Sequence, residues 1–133
     1  MADPNTNVIC VVDDDPSVMN AVVRLLSMAG CQVKAFNDPV EFLLYVKTHV
    51  AAVAVLDVRM PHVTGLEVQS RLRDVSPSTR VIIFTAINDS DVRDKALRAG
   101  ASAFLTKPLD GEQLLSAINS ALTCKNDAII SRQ

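Results

Sequence analysis

The stretch Ala51-Ala52-Val53-Ala54-Val55-Leu56-Asp57 is a continuous apolar run that stops at a carboxylate. Such a short, unbroken apolar run is typical of a strand that is covered by helices on both faces. A carboxylate contributes little to packing at that point, but open α/β sheets bind ligands just outside the carboxyl ends of their strands. The stretch therefore predicts a buried parallel strand with a functional residue, Asp57, at its end.

The alternation of strands and helices continues on both sides of this stretch. The predicted strands are Val8–Val12, Gln32–Phe36, Ala52–Leu56, Val81–Phe84 and Ala103–Leu105. Apolar residues at helical spacing follow each strand, and Asp-Pro or Gly residues mark several helix ends, among them Asp15-Pro16 and Gly30. The pattern predicts a doubly wound, five-stranded parallel sheet flanked by five helices, which is an α/β fold.

The composition fits one globular domain. Of the 133 residues 49% are hydrophobic, and the formal net charge is only -2. The chain has neither a basic run nor a set of aromatic residues for stacking, which argues against nucleic-acid binding. Its cysteines lack metal or disulfide spacing, and no apolar stretch has the length of a membrane span. We expect a cytoplasmic domain over residues 1–124, with 125–133 as a tail or the start of a linker.

Polar residues follow the predicted strands at the edge where their carboxyl ends converge. They are Asp13, Asp14, Asp57, Thr85 and Lys107. Clustered carboxylates repel one another unless a cation lies among them, and oxygen ligands favour a hard ion such as Mg²⁺. A lysine and a hydroxyl nearby suit phosphoryl oxygens. The group predicts phosphoryl transfer to an aspartate.

Four motifs in chain order resemble the receiver domain of two-component response regulators. They are Val11-Val12-Asp13-Asp14, Asp57-x-x-Met60-Pro61-x-x-x-Gly65, Thr85-Ala86 and Lys107-Pro108. The resemblance extends from about Val8 to Leu122 and implies the flavodoxin-like (β/α)5 fold of CheY-like domains. Within that family the chain is most similar to FixJ/NarL-type receivers, which usually precede a helix-turn-helix domain.

The resemblance implies a role for each acidic residue. Asp57 matches the phospho-acceptor, which takes a phosphoryl group from the phosphohistidine of a sensor histidine kinase. Asp13 and Asp14 match the pair that binds Mg²⁺ together with Asp57, and Mn²⁺ is expected to substitute. Arg59 stands where the backbone carbonyl completes the metal site.

The resemblance also implies how the signal leaves the site. Thr85 and Lys107 match the ligands of the bound phosphoryl group, and Phe104 matches an aromatic residue that swings inward on activation. The expected output face comprises the fourth helix, fifth strand and fifth helix, which would mediate homodimerisation or partner binding on phosphorylation. The implied function is a switch in transcription regulation rather than a turnover enzyme.

Other interpretations of the same residues stay open at this stage. In a haloacid-dehalogenase-like phosphatase Asp13 would be the nucleophile and Asp15 the acid/base, although Asp15 also suits a helix cap. A flavodoxin-like electron carrier shares the fold class, but the acidic loop after the first strand would repel an anionic cofactor. A degenerate receiver would act only as a protein-binding module.

Overall fold

The computed structural model describes residues 8–60 and 62–130, with side chains as far as Leu122. Within these residues five parallel strands alternate with five helices, and the strand order is β2-β1-β3-β4-β5. The elements are β1 (Val8–Val12), α1 (Pro16–Met28), β2 (Gln32–Phe36), α2 (Pro39–Tyr45), β3 (Val53–Leu56), α3 (Gly65–Val75), β4 (Arg80–Thr85), α4 (Ser90–Arg98), β5 (Ala103–Thr106) and α5 (Gly111–Ile130). The predicted α/β fold is confirmed, and β1 and β3 lie side by side at its centre.

The central strands are buried on both faces, as their continuous apolarity predicts. In β1, Ile9 and Val11 contact the core layer under α1 and α5, whereas Cys10 and Val12 contact the layer under α2, α3 and α4. Burial raises the pKa of the Cys10 thiol to about 12, so this cysteine is an unreactive core residue.

Polar residues at the ends of the connecting loops fix where the helices begin. The Asp15 carboxylate accepts hydrogen bonds from the Ser17 and Val18 amides at 3.0 and 3.4 Å. Thr64 and Glu67 form a reciprocal capping box at the start of α3. Each such cap satisfies amide groups that the first helical turn leaves without a partner. The predicted capping role of Asp15 is confirmed.

The start of β4 and the end of α2 have local causes, and the former differs from the predicted Val81. β4 already begins at Arg80, because the Arg80 amide donates to the Ala52 carbonyl at 3.0 Å. α2 ends at Tyr45, since the Lys47 amide bonds three residues back to Leu44 and tightens the chain into a turn.

The carboxyl-terminal helix extends beyond the end of the predicted domain. The backbone of α5 continues through Ile130 and so crosses the predicted boundary at residue 124. The division into a domain at 1–124 and a tail or linker at 125–133 stays a prediction, and residues 131–133 lie outside the described part, as does Pro61 of the Met60-Pro61 motif. No helix in the described residues is both long and apolar enough to cross a membrane.

Candidate functional site

Backbone hydrogen bonds of the central strands hold two aspartates at the carboxyl edge of the sheet. The Asp13 amide donates to the Phe36 carbonyl, and the Asp57 amide donates to the Val12 carbonyl, both at 3.1 Å. The hydrogen bonding between β1 and its two neighbours, β2 and β3, thus continues one residue beyond the carboxyl ends of the strands. The two carboxylates follow neighbouring strands and are brought to one place by the parallel register.

Asp13, Asp14 and Asp57 form a carboxylate cluster. Each offers an oxygen that lies within 4.8 Å of the other two. The side chains of Asp13 and Asp57 are only 4% and 5% exposed, whereas Asp14 faces solvent. An oxygen-only donor set with one side open to water fits a hard divalent cation such as Mg²⁺, which retains several waters when bound.

Lys107 bridges the two buried carboxylates of this cluster. Its Nζ lies 2.9 Å from Asp13 Oδ2 and 3.1 Å from Asp57 Oδ2. The Lys107 amide donates to the Thr85 carbonyl at 2.8 Å, and the Lys107-Pro108 peptide bond is cis. The end of β5 is thereby fixed to the end of β4, and the lysine side chain extends across the sheet edge to β1 and β3.

Burial and the charges in the cluster shift the pKa values of two groups. Burial raises the pKa of the Asp13 carboxyl, and the hydrogen bonds from the Asp15 amide and from Lys107 do not offset this effect; the charge of Asp57 adds to it. Burial alone would lower the pKa of the Lys107 ammonium, but its hydrogen bonds to Asp13 and Asp57, together with the negative charges of these two residues, outweigh burial and raise it. Lys107 is therefore firmly protonated, while ionised Asp13 is destabilised in the absence of further positive charge.

A shallow cleft of about 480 Å³ opens over this cluster. The residues that line it are Asp14, Asp15, Asp57, Arg59, Met60, Ala86 and Lys107. The Arg59 amide donates to Asp57 Oδ1 at 3.2 Å, and its side chain is exposed. The predicted metal contact of the Arg59 carbonyl stays a prediction.

Neither Thr85 nor Phe104 lines the cleft, although Ala86, which follows Thr85, does. Thr85 is completely buried, and its hydroxyl oxygen accepts a hydrogen bond from the Ile87 amide at 3.3 Å. Phe104 is half-buried on β5 and contacts the core layer that α4 covers. The sequence therefore brings Thr85 to the predicted strand end, while its hydroxyl serves the β4–α4 loop in this structure.

Gly65 supports the site by its lack of a side chain. A Cβ at this position would overlap the backbone carbonyl of Asp57 and lie 2.9 Å from the Cα of Val58. The Gly65 amide also donates to the Val58 carbonyl at 2.9 Å. The motif Asp57-x-x-Met60-Pro61-x-x-x-Gly65 marks this residue in the sequence, but only the structure reveals the contact that requires glycine.

We predict that Asp13→Asn stabilises the metal-free protein, since ionisation of Asp13 costs folding free energy. A raised folded-state pKa means that wild-type stability falls as the pH rises from the ordinary value of 3.8 through the raised pKa. At pH 7, with a chelator present, the variant should therefore melt at a higher temperature than the wild type. Thermal unfolding at several pH values measures this effect.

The exposed Asp74, changed to asparagine, is the matched control and should leave the melting temperature within about 2 °C of the wild type. Added Mg²⁺ should reverse the ranking, because it stabilises the wild type more than the Asp13→Asn variant. If that variant melts below the wild type in chelator, the assignment of an unfavourable charge to Asp13 is wrong.

The sequence profile of the response regulator receiver domain matches residues 9–119 of this chain. The response regulator protein TmoT of Ectopseudomonas mendocina is 39% identical over 116 residues, which cover 87% of this chain and 53% of TmoT. The chain spans about half the length of several such curated relatives.

Solved structures of receiver domains have the same architecture. The BeF3-activated receiver domain of DrrB from Thermotoga maritima is 33% identical, with a TM-score of 0.79 over 86% of this chain and 96% of that domain. A CheY-like receiver domain protein from Methanospirillum hungatei reaches a TM-score of 0.86 over 92% of this chain and 98% of its own. Its sequence identity is 24%, so that likeness concerns the fold alone.

Proposed function

Because the chain belongs to the receiver domain family of two-component response regulators, we propose that Asp57 accepts a phosphoryl group from the phosphohistidine of a sensor histidine kinase. One observation carries this proposal. The Asp57 carboxylate lies 3.1 Å from the Lys107 ammonium and shares a cluster with the carboxylates of Asp13 and Asp14. The residues that we propose as acceptor, cation-binding pair and ligand for phosphoryl oxygens thus lie together at one open edge.

In the proposed step an Asp57 carboxylate oxygen attacks phosphorus. A P–O bond forms, the P–N bond to the imidazole breaks, and the leaving imidazole takes up a proton. Asp13, Asp14, Asp57 and the Arg59 carbonyl would hold Mg²⁺ or Mn²⁺, which supplies positive charge against the phosphoryl oxygens. Lys107 exchanges one of its carboxylate partners for a phosphoryl oxygen, so the added negative charge remains paired.

The proposed switch begins at Thr85. Its hydroxyl, which bonds the Ile87 amide in this structure, would instead donate to the phosphoryl group and draw the start of the β4–α4 loop inward. Phe104 on β5 would then swing inward. The affected surface is the α4-β5-α5 face, where Leu97 on α4 is 40% exposed and Arg93 and Arg98 are exposed beside it. We propose that this face, with Leu115 on α5, mediates homodimerisation or contact with an output domain in transcription regulation in the cytoplasm.

The geometry of Asp15 is unfavourable for a phosphatase of the haloacid-dehalogenase type. Its Oδ1 caps α1 through the Ser17 and Val18 amides, and this leaves the carboxyl less available for acid/base work. The proposed domain is therefore a phospho-acceptor switch and not a turnover enzyme. A degenerate receiver, which would bind partners without phosphorylation, is the remaining alternative.

Intact mass spectrometry after incubation with acetyl phosphate and Mg²⁺ tests the proposal. We expect the wild type to gain one phosphoryl group, which hydroxylamine should remove because the product is an acyl phosphate. Asp57→Asn should show no such gain, whereas the control Asp74→Asn should behave as the wild type. A wild type that gains no phosphoryl group, with or without a histidine kinase, would favour the degenerate receiver. A gain that survives in Asp57→Asn would assign the acceptor elsewhere.

A further inference from the structure

A second cavity lies at the opposite edge of the sheet from Asp57. It is formed by the end of α3, the α3–β4 loop, the start of β4 and the residues that follow α4. Its volume is about 190 Å³, which is about six times the volume that a water molecule takes up in the liquid. The cavity is therefore large enough for a small organic molecule.

Gln69, which lines this cavity, carries an unpaired buried acceptor. The side chain is 1% exposed, and its amide nitrogen donates to the Ala96 carbonyl of α4 at 2.9 Å. That contact fixes the orientation of the amide, because a carbonyl accepts only from the nitrogen. The other atom, Oε1, has no hydrogen-bond partner among the described residues. Buried acceptors of this kind are nearly always satisfied by a water or a ligand.

Arg80, which also lines this cavity, carries an unpaired buried donor. Its Nε is buried and has no hydrogen-bond partner in the described part of the chain. The exposed Arg73 adds a second guanidinium to the lining, and none of the lining residues is acidic. Guanidinium groups bind carboxylates in a fixed, often bidentate geometry.

The helix ends at this cavity favour a ligand that also carries a donor. α3 ends at Val75 and α4 at Arg98, and the capping residues Ser76 and Ala99 line the cavity. The carboxyl end of a helix bears partial negative charge, which repels a plain anion and attracts an N–H or O–H group. The lining therefore combines the guanidinium donors of Arg73 and Arg80 with the hydrogen-bond acceptors at the ends of α3 and α4.

We propose that this cavity binds a small carboxylate with a hydroxyl or amino group on the adjacent carbon, an α-hydroxy or α-amino acid. The carboxylate accepts from Arg80 Nε, and the neighbouring hydroxyl or ammonium donates to Gln69 Oε1. The volume excludes ligands with long side chains. This site is independent of the proposed phosphorylation at Asp57.

Titrations followed by amide chemical shifts test the proposal with four compounds: serine, lactate, acetate and inorganic phosphate. Serine or lactate should shift the Gln69 side-chain amide and the Ala99 and Gly100 amides saturably, with a Kd of about 1 mM or below. Whichever of the two compounds binds more tightly shows whether the site prefers an ammonium or a hydroxyl donor. Acetate lacks a donor and phosphate lacks a carboxylate, so both should bind at least about tenfold more weakly.

Arg80→Met should abolish these shifts, since it removes the charge without touching the Gln69–Ala96 hydrogen bond. Arg71→Met, an exposed arginine of α3 outside the cavity lining, is the matched control and should bind as the wild type. Asp57→Asn should also leave binding unchanged. The proposal is overturned if neither serine nor lactate gives saturable shifts here, which would mean that the cavity holds water only. Equal shifts in Arg80→Met, or shifts confined to the Asp57 edge, overturn it as well.

Discussion

Gly65→Ala is expected to destabilise the fold by about 3 kcal/mol, in the upper range for overpacking substitutions. The new Cβ would overlap the Asp57 carbonyl oxygen and lie 2.8 Å from the carbonyl carbon. Both neighbours are backbone atoms of a buried segment, so no side chain can rotate away to relieve the contact. Relief requires a displacement of α3 or of the backbone that carries the acceptor. Urea unfolding measures the loss of stability.

Gly111→Ala is the matched control for this substitution, since Gly65 and Gly111 are each the first residue of a helix. A Cβ at Gly111 would meet only Leu25 side-chain atoms, at 3.3 and 3.7 Å. Alanine also has the higher helix propensity, so this variant should change the stability by less than about 1 kcal/mol. Equal stability changes in the two variants would contradict the role assigned to the Asp57 carbonyl. The fraction of Gly65→Ala that folds should also accept phosphoryl groups more slowly than the wild type.

Lys107→Met is expected to tighten Mg²⁺ binding about tenfold or more, which corresponds to about 1.4 kcal/mol. Lys107 Nζ lies 2.9 and 3.1 Å from the two buried carboxylates that we assign to the cation. At an effective dielectric constant of 20, two unit charges 4 Å apart interact with about 4 kcal/mol, so an ammonium in the cluster opposes a divalent ion strongly. Methionine preserves the length of the side chain and removes its charge.

Isothermal titration of Mg²⁺ at fixed pH and ionic strength measures this effect. Lys47→Met is a suitable control, because Lys47 is exposed in the turn after α2 and does not line the Asp57 cleft. Its Mg²⁺ affinity should equal that of the wild type. Unchanged or weaker binding by Lys107→Met would show that the lysine does not compete with the cation. Under our proposal the same variant should be phosphorylated less readily, because it lacks the cationic ligand for the phosphoryl oxygens.

Much of the site could be predicted from the order of the elements alone. Parallel strands place their carboxyl ends at one edge, so the residues after β1, β3 and β5 had to meet there. The grouping of Asp13, Asp14, Asp57 and Lys107 follows from that rule and is confirmed. The burial of the central strands could also be predicted from the sequence, because unbroken apolar runs indicate that helices cover both faces of a strand.

Contacts that depend on side-chain reach could not be predicted in this way. Gln69 adjoins the apolar residues of α3, and nothing in the periodicity indicates that its amide meets the Ala96 carbonyl 27 positions later. The requirement for glycine at position 65 depends on how closely α3 approaches the backbone at Asp57. The Thr85 hydroxyl could serve the cleft or the following loop, and the rotamer chosen here serves the Ile87 amide.

Asp57 is held by contacts on three sides, and this gives the proposed switch a direction. Its amide is held by Val12, its carbonyl abuts Gly65, and its Oδ1 is held by the Arg59 amide. We therefore expect a phosphoryl group on this side chain to leave β3 in place, since that strand lies at the centre of the sheet. Under our proposal the displacement spreads outward through β4 to β5, one of the two edge strands, whose residues are all half-buried. The same contacts that hold the acceptor still would thus direct the response to the margin of the sheet that carries the output surface.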